Sequence, residues 1–109
     1  MPGYVKLREI ATVIRSKNAG PYEITFDIMF ADRDTYERVK RSKVINRQLI
    51  ARTYRIDEAR VSSIVEFDPA QAIKITVGRL LASGDPGETD VYGAQQSAPL
   101  FDIEIPWSD

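Results

Sequence analysis

The sequence predicts an α+β fold in which a mainly antiparallel sheet of four to five strands carries helices on one face. Four short segments alternate apolar and polar residues, which is the pattern of strands with one buried face. Between the first and second of these segments the period lengthens to that of a helix, and a proline-containing turn joins the second and third. This order within 109 residues indicates a single domain, 1–109, that is ferredoxin-like in broad plan.

Each predicted strand follows from its own alternation. The clearest covers 22–30, and Pro69 in the stretch FDPAQA predicts a tight turn that joins 61–67 and 72–79 into a hairpin. A last strand is expected at about 100–105. The side chains expected on the buried faces are Tyr22, Ile24, Phe26, Ile28 and Phe30; Val61, Ser63, Val65 and Phe67; Ile73, Ile75 and Val77; and Phe101, Ile103 and Ile105.

Residues 32–60 carry the helical pattern. Asp34 is a candidate N-cap, with Glu37 three residues later in the spacing of a capping box, and a second helical segment begins after Asn46. One helix, or two short ones, should therefore cross one face of the sheet and leave the other face partly uncovered. The apolar positions of these helices are Tyr36, Val39, Ile50 and Tyr54.

Residues 5–15 are compatible with two structures. Leu7, Ile10 and Ile14 fit the apolar stripe of a helix, whereas alternation around Val13 fits a strand paired with 22–30. The intervening loop is short and rich in turn residues, which favours the strand.

The composition excludes several kinds of chemistry. The chain has no cysteine, and therefore no disulfide, thiolate nucleophile or cysteine metal site. It also has no histidine, so a Ser-His or Cys-His nucleophile pair cannot form within it. No apolar run could span a bilayer, and the N-terminus lacks the apolar core of a signal peptide, so a cytoplasmic protein is expected. We expect no cofactor and no bound metal.

Charge is distributed unevenly along the chain. All fifteen Lys and Arg residues lie in 1–79 with ten acids, giving a net charge of +5 there, whereas 80–109 hold six acids and no cation. The acidic segment is expected either to pack across its own basic body or to meet a partner of opposite charge. The total of −1 argues against nucleic-acid binding.

The stretch RSKNAG supplies the first candidate site, for an anion or a protein partner. Two cations, an amide and backbone N–H groups in a glycine-containing loop are what a carboxylate or phosphate requires. The same residues also suit an ordinary turn, because Asn and Gly tolerate positive φ. The candidates are Arg15, Ser16, Lys17, Asn18 and Gly20, with Asp27 on the polar side of the next strand as an orienting partner.

Residues 80–99 form a second candidate, a long glycine-containing arm without periodicity. Such long segments inside a compact domain are usually functional or disordered, and here the chain returns to a well-patterned strand. The stretch lacks the lysine of a phosphate-binding loop, and its acidic residues do not have the spacing of the ligands in a calcium-binding loop. We expect the arm to lie against a partner or an anion through Gly84, Asp85, Gly87, Thr89, Asp90, Tyr92, Gln95 and Gln96.

Three motifs, RSKNAGP, FDPAQAIKITV and DVYGAQQSAPL, resemble an uncharacterised family of proteins of about this length. The resemblance implies that proteins of this family often occur together with the large protein AtuA of acyclic terpene utilisation, or fused to it. AtuA-like proteins end in a small ferredoxin-like domain with an Arg-Ser-Gly-Asp-Lys-Gly loop. Arg15 and Ser16 match the start of that loop, but Ser83 to Gly87 match its middle with Pro86 in place of the lysine, so both stretches stay candidates.

Three functions follow as expectations. The first is an accessory subunit or binding module of an AtuA-like enzyme that acts on branched acids or acyl-CoA esters, as the resemblance implies. The second is a homo-oligomeric domain that binds a small carboxylate or phosphate. The third is a lyase or hydratase whose base would be Asp27 or Glu66, and its catalytic residues are otherwise unknown.

Overall fold

The computed structural model describes residues 3–20, 23–78 and 97–107, which form an α+β domain with two antiparallel sheets. The described part holds four α-helices and two short 3-10 turns, Glu58–Arg60 and Asp68–Ala70. In chain order the elements are β1 (Tyr4–Lys6), α1 (Leu7–Ile10), β2 (Val13–Asn18), β3 (Glu23–Met29), α2 (Arg33–Ser42), α3 (Arg47–Tyr54), β4 (Val61–Phe67), β5 (Ala72–Gly78), α4 (Ala98–Phe101) and β6 (Glu104–Pro106).

The main sheet has four strands in the order β2-β3-β5-β4, all antiparallel. The predicted α+β class and four-stranded sheet are confirmed. The ferredoxin-like plan is not confirmed, because β1 pairs with β6 in a separate two-stranded ribbon and does not join this sheet. Among the described residues, no helix is both long enough and apolar enough to cross a membrane.

The core lies between the main sheet and the helices α2 and α3. Strand β3 places Ile24, Phe26 and Ile28 on this side, each opposite an apolar residue of β5. Phe26 stacks on Tyr54 of α3, with ring centroids 5.1 Å apart. Because every second residue of β3 is apolar and the pleat alternates, the helix side of this strand is buried from Ile24 to Ile28.

Helix α2 begins two residues earlier than the capping-box pattern predicted. Its N-cap is Asp32, whose Oδ1 accepts a hydrogen bond from the Thr35 backbone N–H at 2.7 Å, while Asp34 already lies in the first turn. Glu37 forms ion pairs within the helix and does not close a capping box. The prediction for α3 is confirmed, since the Asn46 side chain caps it by accepting from the Leu49 N–H at 2.8 Å.

A β-bulge in β4 changes the faces that its alternation predicted. Val61 lies opposite Val77 on the core side, but the register shifts by one residue before Ser63. The extra residue turns Ser63, Val65 and Phe67 to the face away from the helices, where Val65 and Phe67 are exposed. The expectation that these three side chains share the buried face of Val61 was therefore wrong.

The ambiguous N-terminal stretch contains both structures. Leu7–Ile10 form a short helix, and Val13–Asn18 form the strand that pairs with β3, as the turn-rich connection predicted. At the other end of the chain, the strand begins at Glu104 rather than at about 100, because Ala98–Phe101 form a helical turn.

The described part of the acidic segment lies against the N-terminal region. The Asp102 carboxylate is 3.7 Å from both the Lys6 and the Arg8 side-chain nitrogens. These ion pairs are largely exposed, so each contributes little to stability.

Candidate functional site

The face of the main sheet that points away from α2 and α3 carries an ordered set of side chains, which we call the open sheet face. Residues paired across an antiparallel ladder project to the same side, so the four strands set the side chains in rows. The hydroxyl row is Lys17, Thr25, Thr76 and Ser63; the charged row is Arg15, Asp27, Lys74 and Val65; and the apolar row is Val13, Met29, Ala72 and Phe67.

The charged row is centred on a buried carboxylate. Asp27 is only 1% exposed, and its Oδ2 accepts a hydrogen bond from Arg15 Nε while its Oδ1 accepts one from Lys74 Nζ, both at 3.2 Å. A buried charge is costly unless it is paired, and here both carboxylate oxygens have a cationic donor. The two cations stay accessible, with side chains 58% and 41% exposed. One carboxylate against two cations leaves a surplus positive charge at the middle of the face.

The hydroxyl row extends this polar centre towards the β2–β3 turn. Thr25 and Thr76 lie side by side, with their hydroxyl oxygens 3.3 Å apart. Lys17 is exposed at the end of the row, so it brings a third cation to the same side of the sheet as Arg15 and Lys74. Hydroxyl groups next to exposed cationic side chains offer donors of adjustable direction to an anionic group.

The apolar row lies on the other side of the charged row. Phe67, at one end of the row, is 43% exposed, and Met29, next to Val13 at the other end, is half-buried. Val65, at the end of the neighbouring charged row, is 47% exposed. The Lys74 ammonium lies 5.9 Å from the centroid of the Phe67 ring, within the range of a cation–π contact. Exposed apolar side chains that adjoin charged ones are typical of interaction surfaces.

The structure brings three of the predicted site residues together and separates the others. Arg15 and Lys17 belong to strand β2 and not to a loop, and they share the open sheet face with Asp27. Ser16 and Asn18 project to the opposite face, and the Ser16 hydroxyl is enclosed without a hydrogen-bond partner in the described structure.

Gly20 occupies the β2–β3 turn with a φ of 116°, a conformation that glycine adopts without strain. The neighbouring Ala19 N–H donates to the Glu23 carbonyl at 2.9 Å, so this amide closes the turn. The remaining predicted residues lie outside the described ranges; they are Gly84, Asp85, Gly87, Thr89, Asp90, Tyr92, Gln95 and Gln96.

Reasoning from the sequence missed Lys74 and Phe67. Lys74 faces Asp27 because β3 and β5 pair in antiparallel register, and that register places it directly opposite the carboxylate. The polar position of Lys74 in its own alternating strand was the available signal, but only the pairing of β3 with β5 connects it to Asp27. The bulge that exposes Phe67 could not be predicted from composition, because β4 contains no proline or glycine that would indicate an irregular strand.

Comparison with known proteins defines the family. The model of a family described as a domain of unknown function, DUF4387, matches residues 7–104. The chain belongs to this family. No curated protein and no solved structure matches it. The three rows of the open sheet face, with the whole of β2 to β5, lie inside the matched region, so the candidate site is part of the DUF4387 domain.

A second polar cluster in this DUF4387 domain joins α2 to the β4–β5 turn. The Tyr36 hydroxyl donates to Asp68 Oδ1 at 2.6 Å, and Lys40 Nζ donates to the same oxygen at 3.1 Å. Burial of the ring, and then the bond to Asp68, raise the pKa of Tyr36 above its ordinary value. The bonds from Tyr36 and Lys40 lower the pKa of Asp68. This cluster fixes the turn on the helix and exposes no side chain of unusual reactivity.

The two carboxylates considered as catalytic bases lie apart. Asp27 is on the open sheet face and Glu66, opposite Ile73, is on the helix side of the sheet. Both oxygens of Asp27 accept hydrogen bonds from cations. The described residues hold no group of three or more carboxylates that could bind a metal ion.

Proposed function

We propose that this DUF4387 protein is a small accessory subunit that docks on a larger AtuA-like protein through the open sheet face. The observation that carries the proposal is the charged row, with its surplus cation, directly beside an apolar row whose outermost residue, Phe67, is exposed. The association with AtuA comes from the sequence resemblance, and the face supplies a surface suited to it.

Charge complementarity determines the kind of surface that fits. Docking removes water from Arg15 and Lys74, and the single carboxylate of Asp27 balances only one of their two charges. A partner that presents one or more acidic side chains compensates that desolvation, whereas a basic partner surface is repelled. The apolar row, with Phe67 at its exposed end, then supplies the water-excluding contact.

The shape of the site also favours a protein over a small ligand. The rows lie on a sheet of four strands, which presents a broad surface rather than a deep cavity. A stable protein interface buries about 1,200 Å² or more in total, so docking at this face would need the charged and apolar rows together. The resemblance implies that the assembled enzyme acts on branched acids or acyl-CoA esters, with the small subunit supporting the catalytic one.

Co-expression with the AtuA-like protein of the same genome, followed by size-exclusion chromatography with light scattering, tests this proposal. We expect a mixed complex for the wild type and for Arg52→Glu, which changes an exposed side chain of α3. Phe67→Lys and Lys74→Glu should each weaken the complex by at least about tenfold, as central contacts of an interface do.

Two outcomes would overturn the proposal. In the first, both open-face variants assemble as well as the wild type. In the second, the wild type forms no mixed complex and elutes as a monomer or as a dimer of its own chain.

A second candidate function is the binding of a small anion at the same face, within a homo-oligomer or alone. The observation that favours it is the convergence of three cations, Arg15, Lys17 and Lys74, on rows that contain two threonine hydroxyls. Calorimetry with phosphate, dicarboxylates and coenzyme A tests it, with Lys17→Gln as the informative variant. Absence of heat, or equal binding by that variant, would exclude it.

A further inference from the structure

A cleft on the helix side of the sheet is separate from the open sheet face. It lies where the loop between α2 and α3 crosses the edge strand β4, and its volume is about 270 Å³. It continues into a wider depression of about 570 Å³ that shares Lys43, Ile45 and Ile64 with it. A volume near 300 Å³ is at the lower end of the range for small-molecule sites.

The floor of the cleft is aliphatic. Val39 of α2 and Ile73 of β5 are buried there, and Ile45 and Ile64 are half-buried around them. Ile64 faces the helices because of the bulge in β4, so the irregular strand itself builds the floor. An aliphatic group of branched shape would gain contact with four branched side chains here.

The rim of the cleft carries one unpaired charge of each sign. Lys43 follows α2 in the left-handed conformation, with a φ of 57°, and forms no ion pair within the described ranges. Glu66 also lines the cleft without an ion-pair partner there. Lys40 is a third charged lining residue, but its ammonium is committed to Asp68 at 3.1 Å and to Glu37 at 3.5 Å.

We propose that this cleft binds a small zwitterion with an aliphatic side chain, such as an amino acid of the size of leucine. The carboxylate of the ligand pairs with Lys43, its ammonium pairs with Glu66, and its side chain lies on the isoleucine and valine floor. A simple carboxylic acid would leave Glu66 facing a like charge, and a simple amine would do the same to Lys43. A zwitterion satisfies both charges at once.

Nuclear magnetic resonance titration of the full ¹⁵N-labelled chain at pH 7 tests the proposal with three matched ligands. They are leucine, 4-methylpentanoate, which lacks the ammonium, and 3-methylbutylamine, which lacks the carboxylate. For so small a ligand in an open cleft we expect a dissociation constant of roughly 1 mM for leucine. Each analogue should bind about tenfold more weakly, because one charged group of the rim loses its partner. The shifted amides should be those of Lys43, Ile64 and Glu66.

Two variants identify which charge recognises which group. Glu66→Gln should reduce the affinity for leucine to that of the wild type for 4-methylpentanoate. Lys43→Gln should reduce it to that of the wild type for 3-methylbutylamine. Arg52→Gln, at an exposed position of α3 that does not line the cleft, is the control and should bind leucine as the wild type does.

The proposal is overturned if the three ligands bind equally, if 4-methylpentanoate binds best, if leucine causes no shifts up to saturation of its solubility, or if the shifts lie on the open sheet face.

Discussion

At the scale of single residues, Asp27 is the side chain that most distinguishes this domain from a plain sheet-and-helix structure. It is almost completely buried on the side of the sheet that α2 and α3 do not cover, and two long cationic side chains surround it. The sequence placed Asp27 on the polar side of its strand and suggested Lys17 or Arg15 as its partner; the structure pairs it with Arg15. The sequence could not provide Lys74, because a contact 47 residues apart depends on strand order and register.

The charged row allows a prediction about stability. Asp27→Asn should lower the free energy of unfolding by about 2 kcal/mol, since two cations lose their shared partner. Arg15→Gln or Lys74→Gln should each cost less than about 1 kcal/mol, because the remaining cation still pairs with the carboxylate and both side chains are well exposed. Urea denaturation of the three variants measures this. A loss for Asp27→Asn no greater than for Lys74→Gln would contradict the shared-partner geometry.

Asp68 predicts a specific dependence on pH. The hydrogen bonds from Tyr36 and Lys40 lower its pKa in the folded protein below the ordinary value of 3.8. A depressed carboxyl pKa contributes stability that is present above the unfolded value and is lost as pH falls through the folded value. Asp68→Asn should therefore destabilise the protein at pH 7 and have a diminishing effect below about pH 4.

Thermal melts of the wild type and of Asp68→Asn between about pH 2 and pH 7 measure this dependence, because that interval includes the pH at which carboxyl groups titrate. Asp57→Asn is the matched control, since the Asp57 side chain forms no capping hydrogen bond. If the two variants show the same pH profile, the bonds to Asp68 do not contribute as described.

At the scale of elements, alternation and capping residues predicted most of the secondary structure. Strand β3 follows from its strict alternation, and the β4–β5 hairpin follows from its proline turn. The bulge in β4 was not predicted, because it depends on how Val61 and Ser63 pair with β5 and not on their own identities. The N-cap of α2 was predicted at the wrong residue because Asp32 and Asp34 are both of a type that caps helices, and the capping-box spacing to Glu37 favoured Asp34.

The two aspartates at the start of α2 provide a direct comparison. Asp32→Ala should lower the urea midpoint, because it removes the acceptor of the Thr35 N–H. Asp34→Ala should change it much less, since only a favourable charge in the first turn is lost. The Thr35 bond also lowers the pKa of Asp32, so the difference between the variants should shrink in acid as that carboxyl is protonated. Equal effects of both variants at pH 7 would mean that the cap is not at Asp32.

At the scale of the whole molecule, the sheet divides the domain into a helix-covered side and the open sheet face. Sequence reasoning anticipated a partly uncovered face, because only 32–60 supplied helices of useful length. It did not anticipate that β1 and β6 would form a separate ribbon, since pairing between the two chain ends has no local signal. The three-row order of the open sheet face likewise emerges only when β2, β3, β5 and β4 are in register.

The measurement that tests the proposed docking through the open sheet face most directly is hydroxyl-radical footprinting of the protein alone and mixed with the AtuA-like protein proposed as its partner. Phe67 and Met29 report on the apolar row, and Tyr4, which is 62% exposed on the β1–β6 ribbon, is the internal reference. We predict that oxidation of Phe67 and Met29 falls severalfold in the complex while that of Tyr4 is unchanged. Protection of Tyr4 with no change at Phe67 and Met29 would show that the partner binds elsewhere.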